Sequence, residues 1–323
     1  TSIPSAVTEF YHRVLLERAL PELVHDIAAQ IRPLPQKNSK LAKFRRYEAL
    51  GLATTPLVEG TPPSSTDPSK TDITATIKTY GAYMEYTDDL ELTNPDPVLT
   101  EFNELLGEQS GQSMDALYRD VLVAGTGVTY NNGASRAAVN TTITIATLRN
   151  VYRTLRNNNA SFLKEILQAS VKVGTTPIPK SFVAIVHPDV AHDLRQLTGW
   201  KGIEEYGSLN VIHESEIGAI PAIGVRFLES TQAKKYAGAG GTPSGVKSTS
   251  SQTDVYITLI FARNAYGIVP LRGASMTSHL KSRGSAGTSD PLDQVGTTGW
   301  KAKTTSVILN DNFMHRIESA ASS

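Results

Sequence analysis

Ile73-Thr74-Ala75-Thr76-Ile77-Lys78-Thr79-Tyr80-Gly81-Ala82-Tyr83-Met84-Glu85-Tyr86 decides the reading of this chain. Its apolar side chains fall on odd positions as far as Ile77 and on even positions from Tyr80 onward. Successive strand residues point to opposite faces, so one extra residue near Thr79 turns every later side chain over; the spacing predicts a strand with a bulge or bend there. Upstream, Leu57-Val58-Glu59-Gly60-Thr61-Pro62-Pro63-Ser64-Ser65-Thr66-Asp67-Pro68 excludes regular pairing and reads as a loop tip, centred on Glu59, Gly60, Pro62 and Pro63. Phe44 to Thr55 is then the outgoing strand, strand-compatible in composition though poorly alternating. At about 3.3 Å per residue such an arm extends about 50 Å. It has almost nothing of its own to bury, and an isolated hairpin is marginal in water. Two readings stay open: the arm lies across a neighbouring copy, or it is an edge hairpin folded back on its own domain.

The returning strand runs into a long acidic helix. Asp96 followed by Pro97 supplies a cap and first turn, and Gly125 a stop. Between them Val98, Phe102, Leu105, Leu106, Met114, Leu117, Val121 and Leu122 recur at helical spacing. Glu101, Glu104, Glu108 and Asp115 share one face. Gly107 and Gly111, each costing about 1 kcal/mol against alanine, predict a bend or a break. Further on, Leu148, Val151, Tyr152 and Leu155 mark a second helix ended by Asn157-Asn158-Asn159, and Phe162 to Ala169 a third amphipathic stretch. Phe182-Val183-Ala184-Ile185-Val186 reads as a buried strand with a helix after it, and strand-like runs recur at 225–228, 254–261 and 266–271. Gly238 to Ser251 reads as a flexible surface insertion. Trp300 to Ile317 reads as a strand returning to the sheet. Before the arm, Phe10 to Gln30 carries a helical stripe interrupted by Pro21.

Composition is that of a folded protein: 323 residues, 40% hydrophobic and 19% charged, with no apolar run of the roughly 20 residues needed to span a bilayer. The absence of cysteine removes disulfides and thiol chemistry. Nothing near Thr1-Ser2-Ile3-Pro4 has the pattern of a secretion signal, so cytosolic synthesis is expected. The formal net charge is zero, against a general nucleic-acid binder. Charge is nevertheless segregated. Arg32, Lys37, Lys40, Lys43, Arg45 and Arg46 stand without an acid between them, whereas Glu85 to Asp120 holds ten acids against Arg119 alone. Blocks of opposite sign attract between copies. The prolines at 33 and 35 make the basic segment an extended arm, facing a neighbour or packaged nucleic acid, and solvated faces are the plainer alternative for both blocks.

Chemistry is sparse. His187, Asp189, His192 and Asp193 form the one catalytic or metal candidate, but His187 and His192 are five apart, about 140° round a helix, and cannot share a metal as an i, i+4 pair does. The plainer reading is a helix start after a strand. Gly238-Ala239-Gly240-Gly241 lacks the lysine and helix of a phosphate loop, and no serine-hydrolase elbow is present. No cofactor, metal or enzymatic activity is expected.

The order of parts resembles the major capsid proteins of tailed bacteriophages with the Hong Kong ninety-seven fold, and most of all the N-four-like phage family. The residues carrying the resemblance are Thr54-Thr55-Pro56-Leu57-Val58-Glu59-Gly60, Tyr80-Gly81-Ala82-Tyr83, Leu122-Val123-Ala124-Gly125-Thr126, Ile185-Val186-His187-Pro188-Asp189 with Asp193-Leu194-Arg195, Glu214-Ser215-Glu216-Ile217-Gly218, Asp254-Val255-Tyr256, Asp290-Pro291-Leu292-Asp293-Gln294-Val295-Gly296 and Gly299-Trp300-Lys301. The resemblance implies an α+β fold with an N-terminal arm (1–43), an extended E-loop hairpin (44–92), a peripheral domain with its spine helix (93–180), an axial domain (181–271) and a return to the peripheral domain (272–323). It implies hexamers and pentamers tiling an icosahedral shell around double-stranded DNA, in a virion assembled in the bacterial cytoplasm, with a separate scaffolding protein, portal and decoration proteins and no membrane. No long helical leader precedes the arm, and no lysine–asparagine cross-link site is matched. The alternatives are an encapsulin-like nanocompartment shell and, further off, an enzyme using His187 and Asp189. Removal of residues 1–43 is expected to leave a folded chain unable to close shells.

Overall fold

The computed structural model describes residues 15, 23–37, 39–48, 50–54, 56, 59–60, 65, 67–93, 98–165, 177–206, 211–285 and 290–323. The apolar run Phe182–Val186 is buried at every position, as is Val255–Phe261. Strands of that kind need both faces covered. They lie at the centre of a mixed sheet in the order 128–130, 314–319, 255–261, 182–186, 225–229, 216–220 and 201–202. Strand 182–186 runs parallel to 225–229 and antiparallel to 255–261, with Ile185 opposite Leu259. Alternation then divides the core in two. Phe182, Ala184 and Val186 pack under helices Ile145–Asn157 and Pro188–Arg195, with Leu148, Val151, Leu155, Val190 and Leu194. Val183 and Ile185 point the other way, toward Leu122, Met114 and Val24.

The second layer is built around helix Val98–Val123, about 39 Å long at 1.5 Å per residue. It lies on a three-stranded antiparallel sheet of Met276–Lys281, Val295–Thr304 and Lys78–Thr87. Thr298 Oγ1 donates to Asn103 Oδ1 at 2.9 Å, Trp300 Nε1 to Gln109 Oε1 at 3.2 Å, and Tyr118 and Thr304 share a hydroxyl contact of 3.1 Å. The helix continues unbroken through Gly107 and Gly111, against the expected break. Gly107, Ser110 and Gly111 are buried on the side of Asn103, Leu106 and Met114, and packing offsets the propensity cost. At its C-terminal end Arg316 donates to the carbonyls of Val123, at 2.6 Å, and Gly125, satisfying acceptors a helix leaves open.

The change of phase near Thr79 has a larger cause than a bulge. The strand breaks at Ile77 and changes partner. Lys70–Thr76 pairs with Leu41–Tyr47 in register from Lys70 opposite Tyr47 to Thr76 opposite Leu41. From Lys78 onward the chain pairs instead with 295–304, Ala82 opposite Trp300. Ile73, Ala75 and Ile77 face a small cluster with Phe44, Val269 and Leu309, whereas Tyr80, Ala82 and Met84 face the long helix.

Other expectations need correction. The outgoing hairpin strand is 41–47, earlier and shorter than Phe44 to Thr55. Phe162–Glu165 is not helical; Lys164 instead bridges Ser181, and 166–169 lies outside the described residues. The Gly238–Ser251 segment is pinned: Gly240 N–H donates to Thr253 O at 2.8 Å, Gly241 N–H to Val139 O at 2.9 Å and Lys247 N–H to Ala321 O at 2.9 Å. A Cβ at Gly240 would lie 2.4 Å from Val139 O, so glycine serves close approach there and not flexibility. Trp300 to Ile317 is divided between strands 295–304, 306–308 and 314–319 in three different sheets. The divisions at 181 and 272 cross the large sheet, which also takes 128–130 and 314–319. Among the described residues of 1–43, Leu15, Val24 and Ala28 are buried in the main core, so removing them would open it. Most of the stripe between Phe10 and Gln30 lies outside the described residues up to residue 22, and 25–28 forms a turn.

Candidate assembly surfaces

The hairpin is fixed at its root and uncovered beyond it. Ala42, Phe44 and Ala75 are buried against Val269 and Leu309, and Arg46 Nη1 donates to Leu309 O at 3.0 Å. Among the described residues, the outermost backbone hydrogen bond across the pair runs from Glu48 N–H to Ser69 O at 3.0 Å. Tyr47, at the end of its strand, and Leu50 and Leu52 beyond it are 62%, 60% and 91% exposed. The root thus folds back on its own body, whereas the described residues beyond it at 50–54 are exposed. At the tip, Glu59 and Gly60 form an exposed turn with Gly60 at φ 80°, and Pro62 and Pro63 lie outside the described residues.

The six basic residues divide. Arg45 pairs with Asp72 at 2.9 Å, and this hydrogen bond holds the Asp72 carboxyl below its ordinary range. Arg46 pairs with Glu48 at 2.8 Å and lowers it likewise. Arg32 lies over the Phe44 ring at 5.9 Å. Lys37, Lys40 and Lys43 are exposed. Lys37 and Lys40 line a cleft of about 560 Å³ with Lys301 and Lys303, to which no acid contributes.

The four helix acids divide too. Glu101 is exposed, Glu104 and Glu108 are half-buried, and Asp115 is fully buried. The N-terminal segment covers Asp115: its Oδ1 accepts from Val24 N–H at 2.8 Å and His25 N–H at 2.7 Å, and its Oδ2 lies 2.7 Å from His25 Nδ1. Tyr266 OH donates to His25 O at 2.6 Å. Burial, with the charge of Asp115 nearby, raises the neighbouring Asp26 carboxyl. Asp115 is an internal anchor, not part of an outward acidic face.

His187 takes the plainer of its two readings. Its Nδ1 accepts from Asp189 N–H at 3.2 Å, capping the helix that Pro188 begins. Burial lowers its pKa. Asp189 pairs with Lys247, whereas His192 and Asp193 turn to Ser322, so the cluster does not converge. Among the described residues no three His, Asp or Glu side chains are grouped to hold a metal. No described helix is long and apolar enough to cross a membrane.

Two buried ionic centres have no signature in the sequence. Arg226 donates to both oxygens of Glu216, at 2.7 and 2.9 Å, while Tyr206 OH and Ile212 N–H complete that carboxylate's shell. Glu318, fully buried, receives a two-pronged contact from Arg136 at 2.7 and 2.8 Å and a third from Arg316 at 3.1 Å. Arg136 stacks over Tyr236 at 3.7 Å. Only the Arg316–Glu318 spacing of two, which puts both on one strand face, was available to find the second. Both centres tie elements of the large sheet together.

No curated protein matches the chain. The fold is shared with solved structures at low identity. The capsid of cyanophage P-SCSP1u is 14% identical, with 93% of this chain and 89% of that one covered at a TM-score of 0.62. The capsid of Ralstonia phage GP4 is 13% identical, with 92% and 88% covered at 0.66. The capsid of Helicobacter pylori bacteriophage KHP30 is 11% identical, with 94% and 90% covered at 0.60. A model of the phage capsid protein family matches residues 70–277, from the inner hairpin strand through the long helix and most of the large sheet. With more than half of its length inside that match and the Hong Kong ninety-seven architecture throughout, the chain belongs to the phage capsid proteins, as a structural major capsid protein of the virion.

Proposed function

We propose that copies of this chain form hexamers and pentamers that close an icosahedral shell around double-stranded DNA, in the manner of N-four-like tailed phages. The observation that carries this is the outer limb of the hairpin: Tyr47, Leu50 and Leu52 stand in solvent beyond a root that is firmly packed. Apolar side chains in that setting are ordered by a second copy. Many weak contacts of this kind, repeated over a closed surface, add to a strong whole. The peripheral part is the long helix with its three-stranded sheet, and the axial part is the large sheet with helices 145–157 and 188–195. Assembly takes place in the host cytoplasm around a separate scaffolding protein, with portal and decoration proteins completing the particle. The chain acts by packing and not by catalysis, since His187 spends its lone pair on a helix cap.

Replacing residues 49–68 by Asn-Gly, a two-residue link suited to a tight hairpin, tests this reading. The expected product melts at the temperature of the unaltered chain and gives no closed particles in electron micrographs. Normal particles would overturn the proposal.

A further inference from the structure

The lysine cleft and the acidic helix face lie on opposite sides of one slab. In strand 295–304 the even residues Thr298, Trp300 and Thr304 touch the long helix, so Lys301 and Lys303 point away from it. They meet Lys37 and Lys40 in the cleft of about 560 Å³, whose remaining walls include Ile77 and Leu271. On the helix, Asn103, Leu106, Ser110 and Met114 face the sheet, and at 100° per residue the exposed Glu101 projects to the far side and the half-buried Glu104 to the flank, both away from the lysine face of the sheet. Lysines and glutamates are thus separated by the thickness of a sheet and a helix, and cannot meet within one chain. They do meet when copies repeat head to tail, the arrangement that closes rings.

We propose that the Lys37–Lys40–Lys301–Lys303 cleft of one copy receives the Glu101–Glu104 helix face of the next, as an ionic seam that sets the direction of assembly. The inference rests on the shell-forming reading above and names the surface where that reading names only the hairpin. Its occupant is a second copy and not a nucleic acid, because the chain is electrically neutral and carries a matching acidic surface of its own on the long helix, where Glu101 is exposed. The apolar walls at Ile77 and Leu271 suit a protein surface, including the aliphatic stems of glutamates. Such a seam acts mainly on encounter and register, and weakens as salt rises.

Charge reversal tests it, in the expression system where the unaltered chain forms particles; failure to form them at all there would count against the shell-forming reading instead. Lys301→Glu with Lys303→Glu is expected to slow assembly, followed by light scattering, by about tenfold or more at low salt. Glu101→Lys with Glu104→Lys is expected to do the same, and all four changes together to assemble at least about threefold faster than either double, the exchanged charges attracting each other although Lys37 and Lys40 remain. Unaltered assembly of the first variant would overturn the proposal. So would a fourfold variant no faster than either double. Normal shells that retain less DNA would place the lysines against the genome, also overturning it. If the glutamate variant fails to melt cooperatively, Lys301→Gln with Lys303→Gln serves in its place: the expected result is assembly that responds less to salt, and a salt response like that of the unaltered chain would refute the seam.

Discussion

Residues 70–76 and 78–87 are two halves of one run of chain with opposite dependence on their surroundings. The inner half is paired along ten residues with 295–304 and tucks Tyr80, Ala82 and Met84 under the long helix. The outer half is paired only with its own hairpin mate, and much of its surface is open. A strand is stable where its face is covered, so the first half is held along its length by its own subunit and the second on the side of Ile73 and Ala75 alone. The difference follows from one switch of apolar phase in the sequence.

The contrast breaks if the body proves insensitive to its buried anchors. Asp115→Ala removes the acceptor of two backbone N–H groups and the partner of a buried imidazole, and is expected to cost about 3–5 kcal/mol in chemical denaturation. It sharpens at the glycines. A Cβ at Gly81 would sit 2.6 Å from Trp300 O, whereas nothing lies within 4 Å of one at Gly51. Gly81→Ala should cost about 1–3 kcal/mol, and Gly51→Ala should stay within about 0.5 kcal/mol of the unaltered chain.

A smaller effect concerns pH. Burial, and then the nearby Arg316, lower the pKa of His315, whose Nε2 lies 2.8 Å from Thr129 Oγ1. The unfolded chain therefore binds the proton more readily. Stability is full above the ordinary histidine value of 6.5 and falls as pH drops below it toward the folded value. His315→Gln should flatten that part of the curve of melting temperature against pH. The smallest effect belongs to the outer half: Arg45→Ala breaks only an exposed pair with Asp72 and should leave the melting temperature unchanged.

Local features were legible in the sequence because each is set by neighbours along the chain. The phase switch, the helix marked by Leu148, Val151, Tyr152 and Leu155 and ended at Asn157-Asn158-Asn159, the buried run 182–186 and the His187-Pro188 helix start all belong here. What could not be read depends on segments far apart. Asp115 looks like any surface acid until a segment ninety positions earlier closes over it. Arg45 and Arg46 look like free cations until Asp72 and Glu48 fold beside them. The glycines near 240 look like slack until Val139 comes within reach. The split of 295–319 among three sheets follows from which strands happen to lie adjacent, and no local periodicity records that.

The change of partner at Ile77 also sets how the subunit carries load. Tension on the projecting limb passes along the backbone into the ladder with 295–304, lengthwise to the strand. Loaded in that direction, the rungs share the force and must give way together, where a pull across the strand would open them one at a time. A particle swelling from within would thus strain its subunits along their most resistant axis.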